Sequence, residues 1–93
     1  MQKLNLPEYS FRIKTVDGKT HIFDSFRKKF VRLTPEEWVR QNFVQFMVTA
    51  KNYPGSLIAI EAGVKVNDNP QRADLVVFDR SGNPLIVAEF KAP

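Results

Sequence analysis

Residues 84–93 read PLIVAEFKAP, an apolar run that ends in an acid and a base two positions apart, Glu89 and Lys91. On a strand, residues two apart share one face of the sheet. Upstream, residues 72–79 read RADLVVFD, a second apolar run carrying Asp74 near its start. Arg80-Ser81-Gly82-Asn83 joins the two runs and predicts a hairpin. If the hairpin is symmetric about Ser81-Gly82, Asp74 falls opposite Glu89 and Arg72 opposite Lys91. Val76, Phe78, Leu85 and Val87 then share the face of Asp74 and Glu89, while Leu75, Val77, Ile86, Ala88 and Phe90 fill the other. Apolar residues on both faces predict a central, two-sided pair of strands.

Two carboxylates directly opposite each other repel, and desolvation beside a core adds to that cost. The arrangement therefore calls for a cation. Lys91 is one choice and a bound divalent ion is another. Mg²⁺ suits the second, because one or two carboxylates, waters and phosphate oxygens suffice to hold it. A surface Asp–Glu–Lys cluster without catalytic work is the plainer alternative.

Working outward, Leu57–Val66 reads as a strand and Asn67–Gln71 as a turn. Before them, Thr34 is a good N-cap, Pro35 suits the first helical position and Glu37 completes a capping box. The helix is expected to run to about Lys51, where Asn52-Tyr53-Pro54-Gly55 ends it. Val39, Phe43, Phe46, Met47 and Ala50 form one apolar stripe at helical spacing. Glu36 falls within that stripe, Arg40 at its border and Glu37 to the side. Asp17-Gly18 is a two-residue hairpin signal inside Phe11–Asp24. In Ser25–Leu33, Arg27, Lys28, Lys29 and Arg32 interleave with Phe26, Phe30 and Val31, a pattern that suits a nucleic-acid contact and equally a basic connector with exposed cations.

The 93 residues allow one domain, and eight phenylalanines within a 43% hydrophobic composition allow a packed core. With no cysteine and a single histidine, thiolate and histidine metal sites are excluded. Any metal would be a hard cation on oxygen ligands. No run approaches a membrane span and the N-terminus lacks the apolar core of a signal peptide, so a cytoplasmic domain with no membrane partner is expected. Residues 1–51 hold ten Lys/Arg against five Asp/Glu, whereas residues 52–93 hold four against five. The basic first half suits a polyanion.

Asp74, fourteen intervening residues and then Glu89-Phe90-Lys91 resembles the D…ExK signature of the PD-(D/E)xK nuclease superfamily. LTPEEWVRQ, YP, RADLVVFD and PLIVAEFKAP, in that order, resemble the N-terminal nuclease domain of type I restriction enzyme R subunits. The resemblance covers Leu33–Pro93. It implies an α/β (α+β), restriction-endonuclease-like mixed sheet with a long helix, preceded here by the N-terminal β-hairpin. On this reading residues 1–33 hold the hairpin and basic connector, and residues 34–93 the nuclease core.

The resemblance also implies Mg²⁺-dependent hydrolysis of DNA phosphodiester bonds. Asp74 and Glu89 would bind the metal with the main-chain carbonyl of Phe90, and Lys91 would be the catalytic lysine. A helix glutamate belongs near the metal: Glu36 by its place on the wheel, with Glu37 as the fallback. DNA, other restriction-system subunits and a motor domain are the implied partners. The alternative is a non-catalytic nucleic-acid-binding or assembly module that retains the fold. Two departures stand out: Ala73 replaces the superfamily's proline, and the chain ends two residues after Lys91, before the family's next helix and strand. The sequence thus reads as a truncated form, short of elements that activity would need, whose hairpin keeps an exposed face and an open edge.

Overall fold

The computed structural model describes residues 3–66 and 69–90. Its strands form two antiparallel sheets, with one long helix between them in the chain. This is an α+β architecture that begins with a β-hairpin.

The first sheet contains β1 (Ile13–Val16), β2 (Lys19–Asp24) and β3 (Lys29–Arg32), in that spatial order. Asp17 and Gly18 make the β1–β2 turn with φ of 51° and 74°. Two successive positive φ values match the right-handed twist of the flanking strands, and this Asp-Gly pair supplies them at little cost. The sequence reading of Ser25–Leu33 as a connector is corrected here. Phe30 pairs with Phe23 and Arg32 with His21, so the segment contains a third strand. Its cations had masked the alternation that a strand requires.

Helix α1 (Pro35–Gln45) begins as the sequence indicates: the backbone N–H of Glu37 donates to the Thr34 hydroxyl at 3.1 Å. A π-helical turn, Phe46–Ala50, continues it. Thr49 Oγ1 donates back to the Gln45 carbonyl at 2.7 Å, and the Lys51 N–H reaches the Phe46 carbonyl at 3.2 Å. Asn52 then takes a left-handed conformation, φ 54°, which closes the helix.

The buried face of α1 is not the expected apolar stripe. Glu37, Arg40, Gln41, Val44 and Met47 face inward, whereas Ala50 is exposed and Val39, Phe43 and Phe46 are half-buried. The true face lies about a third of a turn from the expected one. Counting apolar side chains misplaces it because its first turns bury polar groups.

The second sheet has β4 (Ile58–Val66), β5 (Asn69–Phe78) and β6 (Pro84–Ala88), with β5 in the centre. β5 starts at Asn69, inside the segment expected to be a turn, because Pro70, Gln71 and Arg72 already pair with β4. Val44, Met47, Ile58, Leu75 and Val77 form the main core, flanked by Phe26, Phe43, Tyr53, Ile60 and Phe90. Leu75, Val76 and Val77 are fully buried, so β5 is two-sided as expected. β6 is not: Leu85 is 58% and Val87 44% exposed along an edge strand.

Candidate functional site

The β5–β6 register is Leu75–Ala88, Val76–Val87 and Val77–Ile86, with a shift only beyond Val77, towards the turn. The next step of that register sets Asp74 level with Glu89, as the symmetric hairpin requires. Glu89 lies one residue past β6 and is exposed. Lys91 lies outside the described residues. Rather than a bare carboxylate opposing Glu89, Asp74 accepts the Phe90 backbone N–H on Oδ2 at 2.8 Å. The Phe90 ring turns into the core against Phe43, with centroids 5.7 Å apart.

Asp74 borders a concavity of about 190 Å³ lined by Thr34, Glu36, Glu37, Arg40, Glu61, Asp74 and Phe90. Glu61 comes from a break in β4. Ile60 pairs with Leu75 and Ala62 with Ala73, but Glu61 itself, opposite Asp74, takes φ 53° and leaves the ladder. A left-handed glutamate inside a strand costs about 1–3 kcal/mol and persists only where its surroundings hold it. Three arginines surround it. Glu61 accepts from Arg27 at 3.2 Å, Arg40 at 3.3 Å and Arg72 at 3.3 Å.

Beneath Glu61 lies a buried charge network. Glu37 is 5% exposed. It accepts from Arg40 Nη2 at 2.6 Å and Nε at 3.1 Å, from Arg27 Nη2 at 2.7 Å and from Gln41 at 3.0 Å. Burial alone would raise the Glu37 pKa, but the donors from Arg40, Gln41 and Arg27 outweigh it and hold the carboxyl at about 2. Burial also opposes the charge on both arginines, and their bonds to Glu37 win again, so both are raised. Arg27 is anchored by Asp24, itself 1% exposed, which accepts from the Arg27 side chain and from the backbone N–H groups of Phe26 and Arg27. Among the described residues no buried side-chain nitrogen or oxygen lacks a partner.

The helix acid is therefore corrected. Glu37, not Glu36, points inward, while Glu36 is exposed at the rim of the concavity. Thr34 caps the Glu37 N–H, but the Glu37 carboxylate serves the arginines rather than the capping box. Sequence reasoning missed Glu61 and the structural roles of Arg40 and Arg27. One signal existed for Glu61, a single acid inside the apolar run LIAIEAGV.

Arg40 also donates from Nη1 to the Asp74 carbonyl at 3.3 Å and lies 4.0 Å from its carboxylate. The concavity thus offers carboxylate and carbonyl oxygens, the donors a hard cation accepts. Among the described residues no three His, Cys, Asp or Glu side chains gather as a metal-binding group. A cation here would rest on one or two carboxylates, the mode typical of Mg²⁺.

No curated protein and no solved structure matches the chain. The family described as Type I restriction enzyme R protein N terminus (HSDR_N) matches residues 35–93. That block takes in α1, β4, β5 and β6 and every acid of the concavity. The chain therefore belongs to the type I restriction enzyme R protein N-terminal family.

Proposed function

We propose that this domain hydrolyses DNA phosphodiester bonds with Mg²⁺ as part of a type I restriction system, acting with the system's other subunits. The observation that supports the reading is the Leu75–Ala88 pair, whose register continued by one step would bring Glu89 level with Asp74, an acid that lines the oxygen-rich concavity. Mg²⁺ would be held by the Asp74 and Glu89 carboxylates and the Phe90 carbonyl. When bound, it supplies Lewis-acid stabilisation of the phosphate and activation of water. Asp74 is oriented from two sides, through the Phe90 N–H on its carboxylate and Arg40 on its carbonyl. Glu37 fixes Arg40 in turn. Lys91 would bring its ammonium to the attacking water or to the charge developing on phosphorus.

The test is plasmid nicking by the chain, alone and with the restriction subunits, in Mg²⁺ and in Ca²⁺. Mg²⁺ should support cutting and Ca²⁺ only binding. Lys91→Ala should lose cutting but bind metal, and Asp74→Asn should lose both. A folded, metal-binding chain that never cuts under either condition overturns the enzyme and leaves the binding or assembly module.

A further inference from the structure

The first sheet lies outside the family match and has two unlike faces. Its register aligns Lys14 with His21 and Arg32, Val16 with Lys19, and Phe23 with Phe30. The Phe23 N–H bonds the Arg12 carbonyl at 2.9 Å, which extends the Phe23–Phe30 row to Arg12. Alternation then puts Arg12, Lys14, Val16, Lys19, His21, Phe23, Phe30 and Arg32 on one face, with Val16 exposed at its hairpin end. The other face carries Ile22 and Asp24, both buried.

Two features distinguish the first face. Its four Lys/Arg residues are exposed, and among the described residues none of them forms an ion pair. Arg27, Arg40 and Arg72, by contrast, are all met by carboxylates. The acids of this sheet are withheld from this face: Asp17 sits in the hairpin turn, and Asp24 lies on the reverse side. The cations are also held in place. The Arg12 guanidinium lies 4.9 Å from the Phe23 ring centroid and 5.5 Å from that of Phe30, and the Lys14 ammonium lies 4.1 Å from Phe30. Phe23 and Phe30 meet edge to face at 5.2 Å. Two side chains rich in rotamers are thus propped on an aromatic floor, with their heads at the surface.

We propose that this face binds the phosphate backbone of duplex DNA. Unpaired cations on a sheet face that carries no acid, two of them pre-positioned on the rings, complement a polyanion, and they read phosphates rather than bases. The rings lie beneath the cations rather than projecting as stacking platforms or membrane wedges, which favours a backbone over unpaired bases or lipid. The face ends at the β2–β3 turn, which carries Arg27 to Glu37 and Glu61. A duplex lying along the strands is thereby directed to the end of the sheet that meets the concavity. The choice of DNA rests on the proposed function, but binding requires neither metal nor cleavage.

The test is fluorescence anisotropy of a 20-base-pair duplex with the full chain in EDTA, over a series of salt concentrations. Each phosphate contact contributes about 0.9 to the slope of log K against log salt. The triple variant Arg12→Gln/Lys14→Gln/Arg32→Gln should flatten that slope by about 2.7 and weaken binding about tenfold or more at moderate salt. Lys51→Gln/Arg80→Gln, which removes exposed cations elsewhere, should leave both nearly unchanged. If loss of the Phe contacts unfolds the triple variant, Lys19→Gln/Arg32→Gln keeps them and should still flatten the slope by about 1.8. Equal binding by the face variants and wild type overturns the proposal, as does equal weakening by the control pair. Stronger binding to phosphatidylserine vesicles than to DNA, lost in the same variants, also overturns it and identifies an anionic membrane instead. Because binding is read without metal, a failure of the cleavage reading leaves this result intact.

Discussion

Replacing Glu37 with glutamine tests the buried network most directly. The variant keeps the volume and an acceptor oxygen but removes the buried charge that Arg27 and Arg40 share. With the carboxyl held at about 2 in the fold against an ordinary 4.5, the network contributes about 3 kcal/mol at neutral pH. Breaking a buried pair by removing one partner usually costs roughly 3–5 kcal/mol. Here the lower end applies, because Arg27 keeps Asp24 and both arginines keep Glu61. A domain of this size is stable by only about 5–15 kcal/mol, so the melting temperature should fall by roughly 12–24 °C. The sign with pH follows from a depressed acid: its contribution is complete above about pH 4.5 and is lost as pH falls towards 2. Urea titrations followed by Trp38 fluorescence at pH 7 and pH 3 would read it, and by linkage less than half of the difference should remain at pH 3. Glu36→Gln, at the exposed neighbour, should change stability by no more than about 0.5 kcal/mol. A loss below about 1 kcal/mol in Glu37→Gln, or an equal loss in Glu36→Gln, would refute the reasoning.

Other substitutions probe separate contacts. Asp74→Ala should destabilise the apo fold by about 1 kcal/mol in a urea titration, by orphaning the Phe90 N–H, where relief of a carboxylate repulsion alone would give the opposite sign. Tyr53→Phe removes the 2.8 Å bond from its hydroxyl to the Phe78 carbonyl and should cost about 1 kcal/mol in the same assay. At Gly55 a Cβ would already meet the Phe26 ring at 3.3 Å, so Gly55→Val should push that ring from the core and lower stability by about 1–3 kcal/mol, read as a thermal melt.

What the sequence made legible was local or fixed by symmetry. Thr34-Pro35 marks a helix start, and Asp17-Gly18 a hairpin, because each acts on backbone within a few residues. The pairs Leu75–Ala88, Val76–Val87 and Val77–Ile86 agree with symmetry about Ser81-Gly82, although Phe78 pairs with Pro84, one residue out of that symmetry beside the turn. The misread features depend on partners far away in sequence. Arg27 meets Glu61 across 34 residues, and Arg40 meets the Asp74 carbonyl across another 34. Glu37 has Arg40 and Gln41 one turn further on, but an apolar wheel scores only apolar side chains and so sets it to the side, and Arg27, the third donor, comes from outside the helix. β3 was hidden for a related reason. Its cations alternate with Phe30 and Val31 too irregularly to be recognised before β2 pairs with them.

The family match begins at Pro35, between Arg27 and Glu37. The matched block therefore does not contain every partner of its own buried acid. A polypeptide starting at Pro35 would keep Glu37 and Arg40 but lose the guanidinium that joins them to Asp24, together with the Phe26 ring seated beside Gly55. A substitution at Arg27 would therefore alter two acids of the concavity, Glu37 and Glu61, from outside the residues that match the family.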